Sequence, residues 1–300
     1  MRRERKVEIN SGISCYRRDW LEAVLPDVPR SASGEYYLTA LAETAAAETT
    51  MPRPVVSVVA EPDVAYGVND RVELARAEAI VRRRISERLM RAGVTIVDPA
   101  TTFIDATVEI GEDACIEPFT TITGRTDIGP DTRIGPHAMI RDSRIGSGCV
   151  VVASMLEEAM VGDRVTIGPF SHLRPGARIE ADVHIRNYAE VKNAVVGRGT
   201  QIGHFSYVGD AELGAGVNIG AGTITANFDG TAKHRTVIGD DAFIGSDTIL
   251  RAPVTVGPGG KTGAGSVVTR DVAPGTTVVG VPARPVPPKQ VTEPETDDER

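Results

Sequence analysis

The sequence predicts a parallel β-helix of triangular section over most of the chain, preceded by an α/β segment, and three observations carry that expectation. The first is a period of six: Ile104, Ile110, Ile116, Ile122, Ile128, Ile134 and Ile140 recur without a break. The second is the residue next to each isoleucine, often glycine, as in Ile110-Gly111, Ile128-Gly129 and Ile134-Gly135. The third is composition, for aromatic residues make up only 4% of the 300. A coil of short, similar turns fills its interior with Ile, Val, Leu, Ala and Thr, whereas globular cores usually draw on more aromatic bulk.

Period two gives alternating strands and period 3.6 a helix, so period six requires flat faces, each with one inward aliphatic residue and one turn. Three hexads close one coil, with Gly, Asp and Asn supplying the corner turns. Successive coils stack as parallel strands about 4.8 Å apart. After a slip in register the pattern resumes as Val161, Ile167, Leu173, Ile179, Ile185 and Val191, then as Val196, Ile202 and Val208. It returns as Ile238, Ile244, Leu250, Val256, Thr262 and Val268. The β-helix is expected over residues 101–284.

Residues 1–100 lack the period and read as an α/β layer too small for a doubly wound sheet. Val55-Val56-Ser57-Val58-Val59-Ala60 reads as a buried strand. Arg71 to Ala92 reads as an amphipathic helix with Leu74, Ala77, Val81, Ile85 and Leu89 on one face, stopped by Gly93. Gly34-Glu35-Tyr36-Tyr37-Leu38-Thr39 opens a second helical stretch through Ala47. Residues 285–300 are proline-rich and then charged, which is the composition of a disordered tail.

A formal charge of −8 argues against a sequence-independent grip on nucleic acid. Cys15, Cys115 and Cys149 are odd in number, widely spaced and without a CxxC pair, so they read as reduced thiols of a cytoplasmic protein. The basic start, Met1-Arg2-Arg3-Glu4-Arg5-Lys6, has no apolar run behind it, and no segment reaches the length of a membrane span.

Candidate chemistry collects in one stretch. Eighteen residues make one coil, so Arg174 and Lys192, which lie in one unslipped run, stack about 5 Å apart. Like charges that close either splay into solvent or share an anion such as a phosphate. The next coils add His204, Tyr207, Asn218 and Asn227-Phe228, and a break in the period between Thr225 and Ile238 marks a projecting loop that carries Lys233. His172 and His184 fall at different edges or levels from His204, so spacing gives no metal triad. Cys115 and Cys149 precede the cluster and have no histidine partner in sequence reach.

Gly168-Pro169-Phe170-Ser171-His172-Leu173-Arg174-Pro175-Gly176-Ala177, Glu190-Val191-Lys192, Gly203-His204, Val217-Asn218-Ile219-Gly220-Ala221-Gly222-Thr223-Ile224-Thr225 and Ile244-Gly245-Ser246-Asp247-Thr248 together resemble a known family. It is the bacterial bifunctional N-acetylglucosamine-1-phosphate uridyltransferase/glucosamine-1-phosphate acetyltransferase family, and the resemblance spans residues 7–272. It implies a left-handed β-helix and acetyl transfer from acetyl-CoA to glucosamine 1-phosphate, with His204 as general base. Arg174, Lys192, Tyr207, Asn218 and Lys233 match the family's sugar-phosphate contacts; Ala221, Asn227, Phe228, Ser246 and Ala264 match its acetyl-CoA contacts. A homotrimer with sites between subunits is implied too.

Two departures stand out. Phe228 replaces the family's usual tyrosine, and Gly280-Val281-Pro282 occupies the stretch of a late arginine, with Arg284 as the nearby substitute. Residues 1–100 resemble only the last part of the uridyltransferase domain. Glu8-Ile9-Asn10-Ser11-Gly12-Ile13 and Gly34 to Tyr37 match its sugar segments, and Gly67-Val68-Asn69-Asp70-Arg71 its asparagine ligand to magnesium. The Gly-rich nucleotide loop and the partner aspartate are missing, so magnesium is expected only where a complete uridyltransferase site is assembled. A stand-alone acetyltransferase carrying a remnant, a subunit of a split enzyme with a separately encoded front half, and a chain whose true start lies upstream of Met1 all remain open readings.

Overall fold

The computed structural model describes residues 11–48, 54–59 and 61–286. The chain divides into two units, Met1–Val81 and Arg82–Arg300. Asn10, Ala60 and the tail 287–300 lie outside the described residues.

In the first unit, helix α1 (Arg18–Val24) has no counterpart among the elements expected from sequence, and α2 (Ala40–Ala47) starts later than expected. The reason for the late start is a turn: Gly34 takes a φ of +85° and its N–H reaches the Ser31 carbonyl. α2 buries Leu41 and Ala45, and the Trp20 indole N–H donates to the Glu48 carboxylate at 2.8 Å. The strand expected over Val55–Ala60 does not form within its described part, and Val55, Val56, Val58 and Val59 stand exposed. An apolar run becomes a strand only where a neighbour pairs its backbone, and none of the strand pairings among the described residues involves this segment.

Helix α3 (Arg71–Arg91) follows the expectation closely. At its start the Asp70 carboxylate accepts from the Glu73 N–H at 2.8 Å, and Glu73 reaches back to the Asn69 N–H at 2.7 Å. At its end Gly93 enters the left-handed region, φ +92°, and the Val94 N–H returns to the Leu89 carbonyl. Only the far end of the apolar stripe is buried, through Leu89 and in part Ile85, while Leu74 and Val81 are about half exposed.

The second unit is a left-handed parallel β-helix. Its three sheets are faces of a prism, here termed the first face (from Thr95–Ile96), second face (from Phe103–Ile104) and third face (from Glu109–Ile110). They hold 12, 10 and 9 strands, one per coil except for the last strand of the first face, Arg284–Pro285, so the chain visits the faces in rotation about ten times. Apart from that closing strand, strands pair in parallel with those one coil away, as Ile116 does with Ile134 and Ile122 with Ile140. The six-residue period is this register: its aliphatic residues point inward and are buried, apart from Ile110, which is partly so. Burial of each such side chain is worth about 1.5–3 kcal/mol.

Two positions before each inward residue the corner admits only a small side chain, and there a hydroxyl often serves the backbone. Thr132 donates to Gly146 at 2.9 Å, Ser171 to Arg186 at 2.7 Å and Thr223 to Gly220 at 2.8 Å. Cys149 fills the same kind of position; burial pushes its thiol pKa up, which suits packing and not nucleophilic chemistry.

Both ends of the coil are covered. At the first, Leu89 and Ile85 pack on the core, and the Arg82 guanidinium lies 3.5 Å from the centre of the Phe103 ring while donating to the Ala100 and Thr102 carbonyls. At the last, Thr277–Val279 pairs antiparallel with Arg284–Pro285. No helix among the described residues is long and apolar enough to cross a membrane.

Candidate active site

The corner between the first and second faces is a ridge on which one position of the hexad recurs. Ile185-Arg186-Asn187, Ile202-Gly203-His204, Ile219-Gly220-Ala221, Ile244-Gly245-Ser246 and Thr262-Gly263-Ala264 each pass from an inward residue around this corner. Backbone bonds tie the coils here, from Gly222 to the His204 carbonyl, Asp247 to Ala221 and Gly265 to Ser246. The glycines are required by this stacking: a Cβ on Gly220 would stand 2.5 Å from the Ser246 nitrogen, and one on Gly245 2.7 Å from that of Ala264. His204, Ala221, Ser246 and Ala264 therefore form one line rising three coils, about 14 Å. His204 is exposed, and its Nδ1 hydrogen-bonds the side-chain oxygen of Asn187, one coil below.

The cations gather on the second face. Leu173 pairs with Val191, which sets Arg174 beside Lys192, as the stacking argument requires. Arg174 Nη1 donates to the Glu190 carboxylate at 2.7 Å. Glu190 is in register with Tyr207 of the next coil. The coil between Ile219 and Ile244 is longer than the rest, and its extra residues form a hairpin in which Phe228 bridges Lys233. That hairpin brings the Lys233 ammonium against Lys192, and Lys233 together with Arg174 holds the Lys192 pKa below its ordinary value. Three cations thus share one patch of surface, where the Glu190 carboxylate pairs with Arg174 and that of Asp210 partly offsets the repulsion on Lys192.

The hairpin is braced from within. Asp229 accepts from the Ala232 and Thr231 N–H groups at 2.8 Å each and from His234 Nε2 at 2.6 Å. The Ala232 N–H first, then the His234 ring and Thr231, hold its carboxyl well below the usual carboxylate range. At the root, the buried Asn227 amide donates to the Asp210 carboxylate and, at 3.4 Å, to the Tyr207 hydroxyl. Gly209 gives the Tyr207 ring its place, since a Cβ there would stand 2.3 Å from the hydroxyl oxygen.

The structure thus distributes the residues singled out by sequence over three places. Arg174, Lys192, Tyr207 and Lys233 converge on the second face, with Asn227 and exposed Phe228 in the hairpin beside them. His204, Ala221, Ser246 and Ala264 share the ridge. Asn218 is on neither, since it belongs to the first face between Gln201 and Phe243. Asn187, Glu190 and Asp210 went unnoticed in the sequence as side chains of the site. The signal for two of them was the coil repeat: Asn187 lies 17 residues before His204, and Arg174 16 before Glu190.

The remaining candidates take structural parts. His172 Nε2 meets the Glu157 carboxylate at 2.9 Å on the second face, and His184 Nδ1 meets the Thr166 hydroxyl at 2.7 Å on the first. The Asn69 backbone N–H and the Asp70 carboxylate serve the start of α3. Among the described residues no group of three His, Cys, Asp or Glu side chains could hold a metal ion.

Comparison with known proteins agrees with the hexapeptide coil. The bacterial transferase hexapeptide (six repeats) model matches residues 107–142, 158–193 and 235–270. The chain is 45% identical over 274 residues to the protein named Bifunctional protein GlmU of Geotalea uraniireducens, covering 90% of this chain and 60% of that one. It is 47% identical over 278 residues to the GlmU of Syntrophomonas wolfei, covering 92% and 62%. For the GlmU of Geobacillus sp. the identity is 46% over 268 residues, covering 88% and 58%. The chain spans about three fifths of the length of these relatives. Three stretches of the chain thus match the bacterial transferase hexapeptide repeat, and over about nine tenths of its length the chain is similar to the C-terminal part of bifunctional GlmU proteins.

Proposed function

We propose that this chain transfers the acetyl group of acetyl-CoA to the amine of glucosamine 1-phosphate, giving N-acetylglucosamine 1-phosphate for nucleotide-sugar synthesis in the cytoplasm. The observation that carries the reading is the patch of Arg174, Lys192 and Lys233, whose mutual repulsion a phosphate dianion relieves. In this reading Tyr207 and Glu190, in register on the same face, supply a hydroxyl and a carboxylate for the sugar hydroxyls.

In this reading the amine attacks the thioester carbonyl as its C–N bond forms, His204 Nε2 takes the amine proton, and the C–S bond breaks. The proton passes to the departing CoA sulfur, so no covalent enzyme intermediate is needed. Ala221, Ser246 and Ala264 leave a side-chain-poor track along which backbone groups can bond an extended pantetheine arm. Asn227 and Phe228 serve the coenzyme from the hairpin.

Asn218 and the cations belong to different faces of one prism, and a sugar phosphate cannot lie flat on two of them at once. We take this as support for a homotrimer in which neighbouring copies complete each site. Sedimentation should give three times the chain mass of 31.8 kDa, and a fully active monomer would end this part of the reading. The substrate assignment is tested by assaying CoA release with glucosamine 1-phosphate and with glucosamine. Loss of the phosphate should lower kcat/KM at least about 100-fold, as expected for several charge-assisted bonds; equal use of both substrates would exclude the cation patch from recognition.

A further inference from the structure

We infer that Asn187 is the positioning residue of the base: it fixes His204 as the tautomer that carries its proton on Nδ1 and so leaves the Nε2 lone pair free. The inference rests on the reading of His204 as general base. His204 Nδ1 bonds the Asn187 amide through Oδ1, an atom that can only accept, so the proton between them belongs to the ring. An amide is suited to this place. It orients the ring and accepts from Nδ1 as the substrate proton arrives on Nε2.

The corner is built to hold the two side chains in register. Asn187 and His204 occupy the same position of successive coils, and the Phe205 N–H bonds the Asn187 carbonyl at 3.2 Å. Their chain neighbours Tyr188 and Phe205 stack with centroids 5.1 Å apart and planes within 7°, and Phe170 extends the stack below at 5.3 Å. Phe170, Tyr188 and Phe205 stand at φ of 62°, 58° and 54°, in the left-handed region where bulky residues are strained. Higher on the ridge Gly222, Asp247 and Gly265 take the equivalent position at φ 73°, 57° and 69°, so none of the three carries a ring there. Bulky rings are thus confined to the coils at and below the His204–Asn187 pair. The rings are also exposed, at 58%, 49% and 65%, so core burial does not account for them. Their stacking locks the corner of one coil over the next and fixes the separation across which the imidazole meets the amide.

The test uses the whole chain with ¹⁵N-labelled histidine, the His204 signals being assigned by their loss in His204→Gln. In the wild type at alkaline pH, Nδ1 should carry the proton and Nε2 the chemical shift of a bare nitrogen. Asn187→Leu, close in volume, should move His204 to a tautomer mixture and lower kcat about 10- to 100-fold, within the range a general base contributes, with KM changed less than about two-fold. Asn187→Asp, which can still accept from Nδ1, should restore the tautomer. A wild-type ring protonated on Nε2, or an unchanged tautomer and kcat in Asn187→Leu, would overturn the inference. Failure of acetyl transfer to glucosamine 1-phosphate in the wild type would instead remove the substrate reading, and the nitrogen shifts distinguish the two outcomes because they require no substrate.

Discussion

Replacing Gly209 by alanine should damage the proposed sugar site while leaving the fold intact. The added Cβ would stand 2.3, 2.5 and 2.7 Å from Oη, Cζ and Cε1 of Tyr207. Ordinary contacts lie at about 3.5–4.0 Å, so the ring must retreat by roughly 1 Å. Gly209 is not among the residues with positive φ, and the atoms it would displace belong to the free end of a side chain, so the backbone has no reason to move. The thermal midpoint should shift by no more than about 4 °C, the response of a domain of this size to about 1 kcal/mol. The hydroxyl would leave the Asn227 amide, now at 3.4 Å, and the patch beside Lys192. Misplacement of about 1 Å in an aligned site costs up to the order of 100-fold. With Tyr207 one of several contacts, kcat/KM for glucosamine 1-phosphate should fall about ten-fold, chiefly through KM. The assay is CoA release under varied sugar phosphate, with the melting curve as control. A folded Gly209→Ala protein with wild-type kcat/KM would refute the placement of Tyr207 in the site.

Lys192→Met should separate stability from binding: relieving the repulsion from Lys233 and Arg174 leaves the melting temperature of the ligand-free protein unchanged or raised. KM for the sugar phosphate should nonetheless rise about ten-fold or more for a lost charge-assisted bond, with kcat little changed, and a lowered melting temperature with unaltered KM would place Lys192 outside phosphate recognition. The hairpin should be sensitive to acid alone. Asp229 is depressed when folded, so its bracing is complete above the unfolded carboxylate value of about 3.9 and is lost as pH falls through the lower folded value. A Phe228→Trp reporter should therefore keep constant fluorescence from pH 8 to about 4 and change only below it, while the added Asp229→Ala change should produce the loosened signal at neutral pH. An Asp229→Ala signal equal to that of the parent would show that the hairpin is held by other contacts.

The coil and much of the site could be read from sequence because a β-helix converts spacing into position. Once Leu173 and Val191 occupy the same face of successive coils, the adjacency of Arg174 and Lys192 follows without any knowledge of side-chain packing. The break before Ile238 likewise announced the Lys233 hairpin. Asn187 was missed because asparagine is common at corners for its tolerance of tight turns, and nothing local separates a corner asparagine from one that orients a base. Glu190 was hidden by the attention that cations draw, although its place one coil from Arg174 follows from the same register. Separation of Asn218 from the cations could have been derived from its hexad position, which assigns it to the first face. In the first unit there is no repeat to fix the register, and so Val55–Val59 was assigned by composition alone and its exposure could not be foreseen.

The central claim is that the corner imidazole beside a phosphate-binding face performs acetyl transfer to an amino sugar phosphate. Its most direct test is the rate of CoA release from acetyl-CoA and glucosamine 1-phosphate at neutral pH, measured for the wild type and for His204→Ala. The account predicts sugar-phosphate-dependent release by the wild type and a kcat at least about 100-fold lower in the variant, as expected for loss of a general base. Equal rates in the two proteins would contradict it.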